Sequence, residues 1–90
     1  MRTFTKSFVI NNKLGLHARA AAQLVKTVNR FNSEVTISNK RQSVNAKSIM
    51  GVLMLAASKG TNITVQVEGK DAGEAMLAIE SLINGKFGEE

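Results

Sequence analysis

Hydrophobic and polar residues change period along the chain and so mark out its elements. Over residues 3–11, Phe8 and Ile10 fall on one side with Val9 between them, the two-residue period of a first strand. Asn11-Asn12-Lys13-Leu14-Gly15 then reads as a turn. Ala21, Leu24, Val25, Val28 and Phe31 follow at helical spacing and line one face. Val35 and Ile37 alternate with polar neighbours in a second strand, Asn39 to Gln42 turns the chain, and Ser43 to Asn45 begins a third. Ser48 to Ala57 reads as a short helix stopped by Lys59-Gly60. Ile63, Val65 and Val67 alternate in a fourth strand. Asp71 fits an N-cap for a last helix striped by Ala72, Ala75, Met76, Ile79, Leu82 and Ile83, with Gly85 at its end.

The order is therefore β-α-β-β-α-β-α. Strands with one apolar face need a cover, and helices on one side supply it. The expected class is α+β, a two-layer open-faced β-sandwich with Thr36, Thr64 and Gln66 on the solvated sheet face. No proline, low-complexity run or repeat interrupts the pattern, so one domain over residues 1–90 is expected.

Composition narrows the function classes. Of the 90 residues none is cysteine, which removes disulfides, thiolate chemistry and cysteine metal sites. Arg2 and Lys6 are followed by an apolar stretch too short for a secretory signal, and Ser48 to Ser58 is too short to cross a membrane. A cytoplasmic location is expected. Charge is uneven: residues 1–67 hold ten basic side chains against Glu34 alone, while residues 68–90 hold two against six acids. A basic body suits an anionic partner or a phosphorylated ligand.

The chain has one histidine. His17 follows Gly15-Leu16 and precedes the first helix, flanked by Lys13 and Arg19, with no carboxylate nearby in sequence. The first N–H groups of a helix lack partners and carry partial positive charge, so they bind phosphate. An imidazole there is a nitrogen nucleophile beside an anion site, and Arg19 adds donors suited to phosphate oxygens. The machinery to generate a phosphoryl group is missing: no Walker-type glycine loop, no Asp/Glu pair for Mg²⁺, no His–carboxylate couple for hydrolysis. Those absences suit a carrier. No metal or cofactor is expected.

The second candidate is Asn45 to Val52. Ser48 is a good N-cap, which alone would explain it. The helix after it is apolar almost all round, so part of Ile49, Met50, Leu53 and Met54 should stay exposed, as a surface that meets partners. Glu68, Asp71, Glu74 and Glu80 read as a capped, solvated helix face, and Gly60 and Gly69 as turn glycines.

Gly15-Leu16-His17-Ala18-Arg19-Ala20-Ala21-Ala22 resembles the active-site motif of HPr, the histidine-containing phosphocarrier family of the phosphoenolpyruvate-dependent sugar phosphotransferase system. Lys47-Ser48-Ile49-Met50-Gly51-Val52 resembles that family's regulatory serine motif, and length and element order match over the whole chain. The resemblance implies a four-stranded antiparallel sheet with three helices on one face. It implies that His17 takes phosphate on Nδ1 from phospho-Enzyme I and passes it to IIA domains of sugar permeases, with Arg19 steadying the phosphoryl group. Ser48 would be the target of HPr kinase/phosphorylase where that enzyme exists, with a transcriptional regulator as a further partner. Ile49, Met50 and Leu53 would help form the docking patch of a protein acting as a monomer.

One residue departs from the pattern: many relatives carry proline where this chain has Ala20. Losing proline in the first turn costs roughly 0.4–1 kcal/mol through unfolded-state entropy, while alanine propagates the helix and restores a backbone N–H. The change bears on transfer rate and partner preference, and keeps a regulatory or nitrogen-related phosphorelay paralogue as the alternative. A nucleic-acid-binding module is the competing class. It would need aromatic platforms, and the chain offers only Phe4, Phe8, Phe31 and Phe87.

Overall fold

A computed structural model describes residues 2–89, so the expected boundaries at 1 and 90 lie outside the described residues. The elements are β1 (Arg2–Val9), α1 (Ala18–Val28), β2 (Glu34–Ser38), β3 (Ser43–Asn45), α2 (Ile49–Met54), β4 (Asn62–Gly69) and α3 (Ala72–Asn84), then a 3₁₀ turn over Lys86–Gly88. The four strands form one antiparallel sheet in the order β1-β4-β2-β3.

Register explains why one face is dry. Phe8 sits opposite Ile63, and Val65 and Val67 of β4 sit opposite Ile37 and Val35 of β2. All six are buried, whereas Gln66 and Glu68 point to solvent and Thr64 and Thr36 are half-buried. The two-residue period therefore does what alternation requires. The three helices cover the dry face through Leu24 and Val28 of α1, Val52 of α2, and Ala75, Ile79 and Ile83 of α3. At the β1 edge, Lys6 shares the dry side with Phe8 and is ion-paired to Glu80 of α3, its ammonium 5.7 Å from the Phe8 ring centre.

Several local expectations need correction. The α2 helix covers Ile49–Met54, not Ser48 to Ala57, because the chain turns into the left-handed region at Ala56, with φ +49. Asp71 precedes α3 but its side chain does not cap that helix. Its carboxylate instead accepts from the Asn32 amide at 2.8 Å, the Ser33 amide at 3.0 Å and the Ser33 hydroxyl. The aspartate thus pins the loop between α1 and β2. Gly69 belongs to this contact and is not a turn glycine, since a Cβ there would run into Ser33. Glu80 and Glu68 also leave the solvated-helix reading, Glu80 through its Lys6 pair and Glu68 because it lies on β4.

Hydrogen bonds from the Ser33 hydroxyl and the Asn32 amide hold the Asp71 carboxyl below the ordinary aspartate range, against a smaller upward push from burial. A carboxyl lowered on folding contributes stability that is present above its unfolded value and lost as pH falls through the folded one. Asp71→Asn should therefore lower Tm by a few degrees at pH 7. Thermal melts of both proteins should converge below the aspartate range; a constant offset down to acid pH would show that the charge is not what holds the loop.

Candidate functional site

The loop from Asn11 to His17 is shaped by two backbone demands. Gly15 has φ +68, and a Cβ there would stand 2.5 Å from the Ala57 carbonyl oxygen, so only glycine lets the strands of chain approach. The next amide, Leu16, donates to that same carbonyl at 2.8 Å, and the Leu16 side chain is buried. With Leu16 anchored, His17 falls at the N-cap of α1 in extended conformation, φ −73 and ψ 178, and its carbonyl accepts from Ala21 at 2.8 Å.

The amides of Ala18, Arg19 and Ala20 have no hydrogen-bond partner among the described residues, and the imidazole makes no capping bond to them. They are the orphan donors at the positive end of an eleven-residue helix that has no acid in its first turn. Ala20 is buried, and where a proline would have none, it supplies one of these amides. Arg19 is exposed and forms no ion pair or side-chain hydrogen bond among the described residues. It is therefore available to an anion brought to this helix end.

The expectation that His17 lacks a carboxylate holds only along the sequence. In space Glu89 reaches it: His17 Nε2 lies 3.0 Å from Glu89 Oε2. The same carboxylate accepts from Asn12 Nδ2 at 2.6 Å and from the Leu14 amide at 3.4 Å, while Asn12 also donates to the Gly15 carbonyl at 2.7 Å. Asn12 is fully buried although polar. The sequence contained no local signal for the pairing, because 72 residues separate the partners. The one hint was Phe87, an apolar residue placed after the helix-ending Gly85; it is buried and turns the tail back toward the His17 loop.

Partial burial is the largest single influence on Glu89 and pushes its carboxyl up. Hydrogen bonds from Asn12, His17 and Leu14 outweigh it, so the carboxyl lies below the ordinary glutamate range. Glu89 is thus an anion at neutral pH. No group of three His, Cys, Asp or Glu side chains suited to a metal occurs among the described residues.

Ser48 is placed as its residue type suggested: it caps α2, its hydroxyl accepting from the Gly51 amide at 3.2 Å. It stands near the far end of α1, where Asn29 donates to the Lys47 carbonyl at 3.2 Å and Lys47 Nζ donates to the Phe31 carbonyl at 2.8 Å. The segment then runs back to Ala57, which holds Leu16. Met50 and Met54 are mostly exposed and Ile49 partly so, whereas Leu53 is half-buried against the core. Leu14, beside His17, is also exposed, an apolar rim residue that periodicity did not mark because it sits in a turn. A surface depression of about 510 Å³ lies between β2, β3 and Lys47 and does not include His17. The His17 side chain is itself half-buried, with 27% of its surface exposed.

Comparison with known proteins identifies the family and the fold. The family description "PTS HPr component phosphorylation site" matches residues 4–85. The Phosphocarrier protein HPr of Xylella fastidiosa (strain 9a5c) is 52% identical over 82 residues, covering 91% of this chain and 92% of that one. The Phosphocarrier protein HPr of Neisseria meningitidis serogroup A is 52% identical over 84 residues, covering 93% and 94%. Among solved structures, HPr-C-His from Thermoanaerobacter tengcongensis superposes with a TM-score of 0.91 at 44% identity, covering 100% of this chain and 99% of that one. With that fold, the His17 loop at the head of α1 and half its residues shared with phosphocarriers, the chain belongs to the HPr family of the phosphotransferase system.

Proposed function

We propose that His17 accepts a phosphoryl group on Nδ1 from phospho-Enzyme I and passes it to IIA domains of sugar permeases in the cytoplasm. The observation that carries this reading is the N-cap position of His17, at the head of three amides that have no partner among the described residues. A phosphoryl group on the ring is a dianion, and those amides with Arg19 supply the donors it needs. The His17 side chain keeps 27% of its surface exposed, which a docking partner can approach. The protein is then a carrier and not an enzyme: the partners on either side supply the transfer chemistry.

Partner contact falls to the surface that runs from His17 to helix α2. Met50, Ile49, the accessible part of Leu53 and Leu14 form the apolar part, and the basic residues Lys13 and Arg19 favour acidic-rimmed partners. Ser48 is the regulatory site in this reading. A phosphate there adds about −1.5 to −2 charges beside Ile49 and Met50, tolerable at a helix start but hostile to an acidic partner. The absent proline at Ala20 favours no particular downstream system, and a regulatory or nitrogen-related phosphorelay would use the same His17 chemistry.

Incubation with Enzyme I and phosphoenolpyruvate should give an acid-labile, base-stable phosphate on the wild type and none on His17→Ala. Equal labelling of that variant would refute the assignment. Ser48→Asp should accept the phosphoryl group at least several-fold more slowly at sub-saturating concentration, since like charge across an interface costs chiefly association rate. An unchanged second-order rate would remove the regulatory role from Ser48.

A further inference from the structure

The proposed reading needs a ring nitrogen that carries a lone pair, and nothing in the α1 N-terminus decides which of the two that is. Glu89 does. An ionised carboxylate only accepts hydrogen bonds, and this one already accepts from Asn12 Nδ2 and the Leu14 amide. Its third contact, 3.0 Å from His17 Nε2, therefore requires Nε2 to be the donor. A neutral imidazole has one N–H, so a proton held on Nε2 leaves the lone pair on Nδ1.

The tail is built to bring that carboxylate there. Lys86 and Phe87 have φ +55 and φ +54, two successive non-glycine residues in the left-handed region. Such a pair is unfavourable and persists only when its surroundings enforce it. Burial of the Phe87 ring, at 3% exposure, is what enforces it here. Glu89 follows two residues later, beyond residue 85 where the family match ends.

We propose that Glu89 is a positioning residue: its carboxylate holds His17 as the Nε2–H tautomer, directs phosphorylation to Nδ1 and partners the positive charge of the phosphorylated ring. The proposal rests on His17 as the carrier residue. The balance of the step is simple. The Nδ1 lone pair attacks phosphorus, the N–P bond forms as the bond from phosphorus to the donor's leaving nitrogen breaks, and that nitrogen takes the electron pair. The ring keeps its Nε2 proton and becomes cationic. On forward transfer the Nδ1–P bond breaks, its electron pair returns to Nδ1, and the ring is neutral again. At no point does His17 have to gain or lose a proton, because Glu89 balances the charge in place.

Two variants of the full chain, Glu89→Gln and Glu89→Ala, test it with Phe87 left in place. Ring ¹⁵N shifts of His17 at alkaline pH report the tautomer without any partner. Phosphoramidate, a small N–P donor, then labels the histidine without Enzyme I, and ³¹P and ¹⁵N spectra locate the phosphate. The expected result is a pure Nε2–H ring labelled on Nδ1 in the wild type. Both variants should show mixed tautomers and slower labelling of Nδ1 than the wild type. A wild-type ring protonated on Nδ1, or a tautomer and labelling rate unchanged in both variants, overturns the proposal. Wild type labelled on Nδ1 by phosphoramidate, with the Glu89 dependence but with no transfer from Enzyme I, upholds it and refutes the carrier reading instead.

Discussion

One backbone hydrogen bond, from the Leu16 amide to the Ala57 carbonyl at 2.8 Å, decides where the rest of the site falls. It ties the loop before α1 to the segment after α2, and Gly15 makes the approach possible by lacking a Cβ. Ala56 bends into the left-handed region to present that carbonyl, a conformation that costs an alanine roughly 1–2 kcal/mol. Once Leu16 is fixed and buried, His17 has no freedom to be anything except the cap of α1. The same contact sets the short α2 helix beside α1, with Ser48 near one end of α1 and His17 at the other. Eleven residues of helix put these ends roughly 16 Å apart, close enough for one partner surface to cover both.

The chemistry follows from what is left unsatisfied. Helix α1 leaves the Ala18, Arg19 and Ala20 amides without partners among the described residues, and of these three residues Ala18 and Arg19 are exposed while Ala20 is buried. Such donors hold a phosphate but cannot create one. The proposed roles of His17, Arg19 and Ser48 thus share one basis: anions placed at or near the start of a helix.

Most of the fold was legible because alternation and helical spacing record burial directly. Ile63, Val65 and Val67 mark the sheet's inner face, and Leu24, Val28, Ile79 and Ile83 mark the helices that cover it. The His17 position was legible for a similar reason, since a glycine-containing turn before a helical stripe places the intervening residue at a cap. Long-range polar contacts leave no such record. Asp71 looked like a cap and proved to be a latch on Ser33, a partner 38 residues away. Glu89 reaches His17 only because Lys86 and Phe87 adopt backbone angles that their residue types do not announce. The early end of α2 is equally unmarked in the sequence, as Ala56 carries no sign of its left-handed turn.

The central claim is that α1's first amides receive the phosphoryl group carried by His17. Amide ¹H–¹⁵N spectra recorded before and after phosphorylation test it most directly, because a hydrogen bond to a phosphate dianion moves an N–H resonance far downfield. Large downfield shifts concentrated at Ala18, Arg19 and Ala20 are the predicted result. Phosphorylated protein in which those three resonances stay put, or in which the large shifts lie elsewhere, would contradict the account.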